Sequence, residues 1–91
     1  MTKKLMSKIL VIGACGQIGV ELTLALRKIH GTDNVIASDI RDVHPLLADG
    51  PFETINASDK EVILNIIVKE RVTEVYLLAA LLSATGEKNP E

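Results

Sequence analysis

Lys8-Ile-Leu-Val-Ile12, followed without a break by Gly13-Ala-Cys-Gly16-Gln-Ile-Gly19, decides how this chain folds. The first segment is a short apolar run rich in β-branched residues that stops abruptly at a glycine, which predicts a strand buried on both faces. From Gln17 to Ile29 the spacing turns helical, and Ile18, Leu22, Leu26 and Ile29 are expected to form the inward stripe. Gln17, Glu21 and Lys28 fall off that stripe and can face water. A pair of phosphates needs a tight turn, a backbone it can approach closely, and a helix N-terminus aimed at its charge. Gly13 can supply the turn, Gly16 the close approach, and Gly19 the room for the helix to pack back on the strand. A glycine-rich turn that binds nothing is the alternative, and the strand before it and helix after it weigh against that.

Working outward, Gly31 ends the helix, with Arg27, Lys28 and His30 in its last turn, where cations suit the dipole. Val35-Ile-Ala-Ser38 reads as a second strand closed by Asp39. Residues 40–51 hold two prolines, a glycine and two acids, so a loop with a short helical turn is expected. Phe52-Glu-Thr-Ile55 is a third strand. Ser58-Asp-Lys-Glu61 has capping-box spacing and opens a helix to about Glu70, burying Val62, Ile63, Ile66 and Ile67. Glu74-Val-Tyr-Leu-Leu78 is a fourth strand, and Ala79 to Glu91 is a small, polar tail. Right-handed crossovers then place the strands in the order 3-2-1-4. The fold class is α/β: a partial Rossmann-type parallel sheet with helices on both faces, and 1–91 is a single nucleotide-binding domain portion.

Composition narrows the partners. Apolar residues make up 47% of the 91, with one Phe, one Tyr and no Trp, as suits an aliphatic parallel sheet. A net charge of −2 with interspersed signs offers no basic stripe to a nucleic acid, and Phe52 and Tyr76 are too few to stack a single strand. Met1 to Ser7 lacks the apolar core of a signal peptide, and no run approaches the ~20 residues of a membrane span. Cys15, the single cysteine, forms no internal disulfide, so a reducing, cytoplasmic setting is expected. His30 and His44 stand apart without a ligand cluster, and no metal site is expected.

Asp39 is the second chemical signal. A carboxylate at the end of the second strand, about twenty residues past the last glycine, accepts hydrogen bonds from both adenosine ribose hydroxyls and repels a 2′-phosphate. That favours NAD over NADP; a mere loop cap is the alternative. Arg41 bears on the same choice, because a nearby base can receive a 2′-phosphate, or lie over the adenine or in solvent. Asp59, with the Lys60 backbone beside it, either accepts from the adenine amino group or serves the dipole of the helix it opens. Leu78, Ala79 and Ala80 end the fourth strand at the same sheet edge, where small side chains admit a ribose or make a packing point. Ser83 and Thr85 are candidates to face a substrate, and Cys15 is read as an inert turn residue despite the helix N-terminus beside it.

The glycine segment, with Val35-Ile-Ala-Ser-Asp-Ile-Arg41 and Tyr76-Leu-Leu-Ala-Ala-Leu-Leu-Ser-Ala84, resembles a known family. Its G-x-x-G-x-x-G spacing matches the short-chain dehydrogenase turn, and Ala80-Leu-Leu-Ser-Ala-Thr-Gly-Glu-Lys-Asn-Pro90 is similar to the short-chain L-threonine 3-dehydrogenases, relatives of the UDP-galactose 4-epimerases. The resemblance covers about Lys8 to Pro90. It implies an NAD-binding domain of an enzyme oxidising L-threonine to 2-amino-3-oxobutanoate. It also implies that Gly13, Gly16, Gln17, Ile18 and Gly19 hold the pyrophosphate, Asp39 holds the ribose, Asp59 meets the adenine, and Ile40, Arg41 and Lys60 are further cofactor contacts. Leu78 to Ala80 would line the inner cofactor, and Ser83 would border the threonine pocket. Family members are several times longer and use a catalytic Ser with a Tyr-x-x-x-Lys pair. Tyr76 is the single tyrosine here and Ala80 stands four residues on, so the chain is expected to be an inactive front portion of such an enzyme. The cofactor half of a sugar-nucleotide epimerase or dehydratase, or a non-catalytic NAD-binding module, are the rival expectations. An apolar fourth strand without a fifth neighbour is expected to associate with another chain.

Overall fold

The computed structural model describes residues 7–78. Strands β1 (Ile9–Ile12), β2 (Val35–Asp39), β3 (Phe52–Thr54) and β4 (Glu74–Leu77) form one parallel sheet in the order β3-β2-β1-β4. Helix α1 (Gln17–His30) joins β1 to β2, and helix α2 (Lys60–Glu70) joins β3 to β4 on the opposite face. The expected order and layering are therefore observed.

β1 lies at the centre because all its side chains are apolar and can be buried on both faces. Ile9 and Val11 point to the α1 side with Val35 and Ala37, where Val20, Leu26 and Leu47 close the cluster. Leu10 and Ile12 point to the α2 side with Ile36, Ile55 and Ile66. The register pairs Ile12 with Ser38 and with Leu77, and Asp39 with Thr54, so the strands' C-terminal ends share one edge. No described helix is long and apolar enough to cross a membrane.

Several local expectations are corrected. In α1 the inward face is Gly19, Val20, Thr23, Leu26 and Arg27, while Ile18 and Ile29 are 72% and 73% exposed. The helix is rotated by part of a turn from its apolar stripe because Gly19 must lie against the turn backbone, which carries Thr23 and Arg27 inward with it. Arg27 does not serve the helix dipole from the surface. Its guanidinium is buried and donates to the carbonyls of Val35 (3.2 Å), Leu47 (3.0 Å) and Pro51 (2.7 Å), with the Asp49 carboxylate 3.5 Å away. Burial pushes the Arg27 pKa below its ordinary value and Asp49 opposes that shift. A Cβ on Gly50 would lie 2.7 Å from the guanidinium carbon, so the loop closes on Arg27 only through a glycine.

Gly31, at φ 99°, ends α1 as expected. An unforeseen 3₁₀ turn, Thr32–Asn34, follows it, and the short helical turn expected in the 40–51 loop is Pro45–Leu47. The N-cap of α2 is Asp59 and not Ser58: Asp59 Oδ1 accepts from the Val62 N–H, while the Ser58 hydroxyl donates to Asn56. An ionised oxygen is the stronger acceptor at a helix N-terminus. β3 and β4 each end one residue earlier than expected, with Ile55 buried just beyond β3.

Candidate dinucleotide site

The turn after β1 is tied down by its own backbone. The N–H groups of Gly13 and Ala14 both donate to the Ser38 carbonyl at 2.9 Å, and the Cys15 N–H donates to Asp39 Oδ2 at 2.9 Å. β2 thus holds the first half of the turn, which leaves the second half to open into α1. Gly13 sits at φ 94°, a conformation that side chains resist. A Cβ on Gly19 would stand 2.3 Å from the Gly13 carbonyl oxygen, so α1 approaches the turn only through a glycine. Gly16 is different. It caps α1 with extended backbone, and a Cβ there would meet nothing nearer than Arg41 at 3.8 Å. The fold does not need glycine at 16; the space in front of it is kept open. Gln17, Ile18 and Gly19 lead the helix, where N–H groups have no carbonyl one turn back and are free for an anion. This cradle fits a pyrophosphate.

Beside it lies a cavity of about 200 Å³ at the C-terminal edge of β1, β2 and β3. Ile12 and Gly13 form one side, Asp39 and Ile40 a second, and Ile55, Asn56 and Ala57 a third. Pockets for whole drug-sized ligands run larger, roughly 300–1,000 Å³, so this one suits the adenosine end of a longer molecule.

Asp39 is 4% exposed, and its carboxylate is the most heavily bonded group in the site. Oδ1 accepts from the Arg41 N–H at 3.0 Å and from Arg41 Nε at 3.2 Å, and a guanidinium nitrogen also lies 3.4 Å from Oδ2. Burial alone would raise the Asp39 pKa, but these bonds and that from Cys15 outweigh it and hold the carboxyl below its ordinary value. Asp39 is ionised at neutral pH. The Cys15 thiol is pushed up by burial, with the Asp39 and Asp42 carboxylates adding to the shift, and donates to the Asp42 carbonyl at 3.4 Å. A raised thiol pKa is the reverse of what an activated nucleophile needs.

Asp59 and Lys60 are exposed and lie outside the cavity lining, with Asp59 engaged as the α2 cap. Leu78 is half-buried against the α1-side cluster. Ala79, Ala80, Ser83 and Thr85 lie outside the described residues. Sequence reading missed Ile12, Ile55, Asn56 and Ala57. A signal existed for Asn56 and Ala57: in open parallel sheets the crevice lies just outside the strand ends, and these residues follow β3 closely. The capping pattern drew attention to a carboxylate further along instead. Asn56 Oδ1 accepts from the N–H and hydroxyl of Ser58, which leaves its amide NH₂ as a donor.

The sequence model of the NAD dependent epimerase/dehydratase family matches residues 9–91. A relative from Staphylococcus aureus (strain USA300), named an uncharacterized epimerase/dehydratase, is 44% identical over 87 residues, which are 93% of this chain and 27% of that protein. An L-threonine dehydrogenase structure from Clostridium difficile superposes with a TM-score of 0.79 at 44% identity, covering 96% of this chain and 28% of that one. A GalE-like L-threonine dehydrogenase from Cupriavidus necator, solved in a holo form, gives 0.73 at 48% identity over 91% of this chain and 27% of its own. The chain thus spans about a quarter of the length of the proteins it matches, and its resemblance to the L-threonine dehydrogenases extends to the fold. The strand–turn–helix cradle, the strand order and the family match together place the chain in the NAD-dependent epimerase/dehydratase family.

Proposed function

We propose that this chain is the NAD-binding portion of an L-threonine 3-dehydrogenase-like oxidoreductase. The observation that carries the reading is the continuity of the α1 N-terminus, the open space at Gly16 and the cavity walled by Asp39. The pyrophosphate would lie on the leading N–H groups of α1, with Ile18 standing exposed at the rim. Asp39 would accept from the ribose hydroxyls, and Ile12, Ile40 and Ile55 would enclose the adenine. The amide NH₂ of Asn56 would donate to a ring nitrogen of the adenine, whereas the Asp59 carboxylate, expected to accept from the adenine amino group, caps α2. When bound, the nicotinamide would supply a hydride acceptor; among the described residues none is placed to supply the base. Tyr76 packs half-buried in β4 against the α1-side cluster, and position 80 is alanine where the family pair would need lysine.

Identity of 44–52% to structures of L-threonine dehydrogenases favours threonine as the substrate of the whole protein. That the Staphylococcus aureus relative is named an epimerase/dehydratase favours a second reading, the cofactor portion of an epimerase or dehydratase, for which we propose a sugar nucleotide as substrate. Titration calorimetry with NAD and NADP tests what the two share. NAD is expected to bind weakly, because only the adenosine half is enclosed, and NADP more weakly still. A preference for NADP would overturn the role given to Asp39.

A further inference from the structure

We infer that the outer flank of α1 is a docking seam for a second copy of this chain, with the two α1 helices packed antiparallel. Ile18, Leu22, Ala25 and Ile29 follow one another at intervals of four, three and four residues, so they form one stripe along the helix. Ile18, Ala25 and Ile29 are exposed, and Leu22 is half-buried where the stripe meets the core. The inward face belongs instead to Gly19, Val20, Thr23, Leu26 and Arg27. Arg27 marks the flank turned to the Pro45–Leu47 turn, because it donates to the Leu47 carbonyl. At 3.6 residues per turn the stripe lies on the other flank, on the β4 side of the sheet. Among the described residues no element covers it.

An apolar stripe with this spacing suits another helix, and its own symmetry selects which one. It reads nearly alike in both directions, with isoleucine at each end and leucine and alanine between. Against a second α1 running the other way, Ile18 meets the partner's Ile29. Leu22 meets the partner's Ala25, a large side chain on a small one, and each contact occurs twice about the two-fold axis.

Charge fits the same register. Glu21 and Lys28 border the stripe on its solvent side, are exposed, and form no ion pair among the described residues. Antiparallel packing brings Glu21 of each copy beside the partner's Lys28, again twice. Parallel packing would set Glu21 beside the partner's Leu26 and lose both pairs. A helix of this length, about 21 Å, makes a contact below the ~1,200 Å² of stable complexes, so a weak, concentration-dependent dimer is expected.

Sedimentation equilibrium over a wide concentration range tests this on the unaltered chain and on α1 variants. A parallel set carries Val75→Lys, which charges the exposed β4 edge and removes association through that strand. Ala25→Glu buries a carboxylate in the middle of the seam and is expected to weaken the dimer about tenfold or more. Glu21→Lys turns both ion pairs into like-charge contacts and is expected to weaken it about fivefold. Adding Lys28→Glu rebuilds both pairs with their signs exchanged, and affinity should return to within about twofold of the parent. Positions 21, 25 and 28 are exposed, and circular dichroism would confirm that each variant folds. A dimer that persists with Val75→Lys and follows this pattern supports the inference. A chain monomeric at every concentration overturns it and leaves the seam to a different occupant. Association indifferent to Ala25→Glu overturns it as well, and failure of the double exchange to restore affinity overturns the antiparallel pairing.

Discussion

Two glycines one helical turn apart are expected to fail differently when each is replaced by alanine. At Gly19 the new Cβ would lie 2.3 Å from the Gly13 carbonyl oxygen and 2.8 Å from Ala14 Cα and carbonyl carbon. All three are backbone atoms of a turn that β2 already holds, so the turn and helix must part by about 1 Å to restore ordinary contact. Overpacking against backbone held in this way falls in the upper part of the usual range, roughly 2–3 kcal/mol. Alanine's better helix propensity returns about 1 kcal/mol. The net expectation is a loss of about 1–2 kcal/mol from a domain worth roughly 5–14 kcal/mol at its size. At Gly16 the nearest atoms would be 3.8 and 3.9 Å away, and the backbone is already extended. Alanine there costs at most about 1 kcal/mol as a poorer helix cap, yet its methyl group fills the space left for phosphate. Urea unfolding and NAD titration on both variants form the assay. Gly16→Ala should stay nearly as stable and lose NAD binding by tenfold or more, on the order of the ~1.4 kcal/mol that such a factor represents. Gly19→Ala should lose stability and, through the displaced turn, binding as well. NAD binding unchanged in Gly16→Ala would refute the phosphate cradle, and Gly19→Ala as stable as the parent would refute the helix–turn contact.

Other expectations bear on the fold, the charge network and the activity. Arg27→Met leaves the Val35, Leu47 and Pro51 carbonyls without their donor and should cost about 3–5 kcal/mol in urea unfolding; a cost under ~1 kcal/mol would show that the loop does not depend on it. Because the folded-state pKa of Asp39 is depressed, its contribution to stability is present above its ordinary value of 3.8 and is lost as pH falls below that. Asp39→Asn should therefore flatten the acid limb of the stability curve below about pH 4, and an unchanged limb would remove Asp39 from the network. The chain incubated with NAD and L-threonine should yield no NADH absorbance above the buffer blank; turnover would mean that another group here acts as base. β4 has a single hydrogen-bonded neighbour among the described residues, and its Val75 and Leu77 are each 43% exposed. Self-association through this edge is expected in sedimentation, weakened by Val75→Lys; a stable monomer at high concentration would count against it.

Much of the architecture was legible in the one-dimensional pattern because its causes are local. The run from Ile9 to Ile12 can be satisfied only by burial on both sides, the glycine spacing marks where a helix starts on a turn, and alternating strands and helices leave few topologies open. Hence the strand order, the role of Gly13 and the end of α1 at Gly31 follow from the residues themselves. What depended on tertiary structure concerns groups whose partners are distant in sequence. Periodicity ranked Ile18 and Ile29 as inward and Arg27 as a surface cation, because it cannot count carbonyls from β2 and the Pro45–Leu47 loop converging on one guanidinium. Asp39 was visible as a carboxylate at a strand end with Arg41 two residues on, but its hold on Cys15 arises only when the turn after β1 is brought against the end of β2. Asn56 and Ala57 carry no motif, and their single sequence signal is their place just past the end of β3. They become site residues because β3 pairs with β2 in a register that ends both strands at one edge, beside the turn after β1.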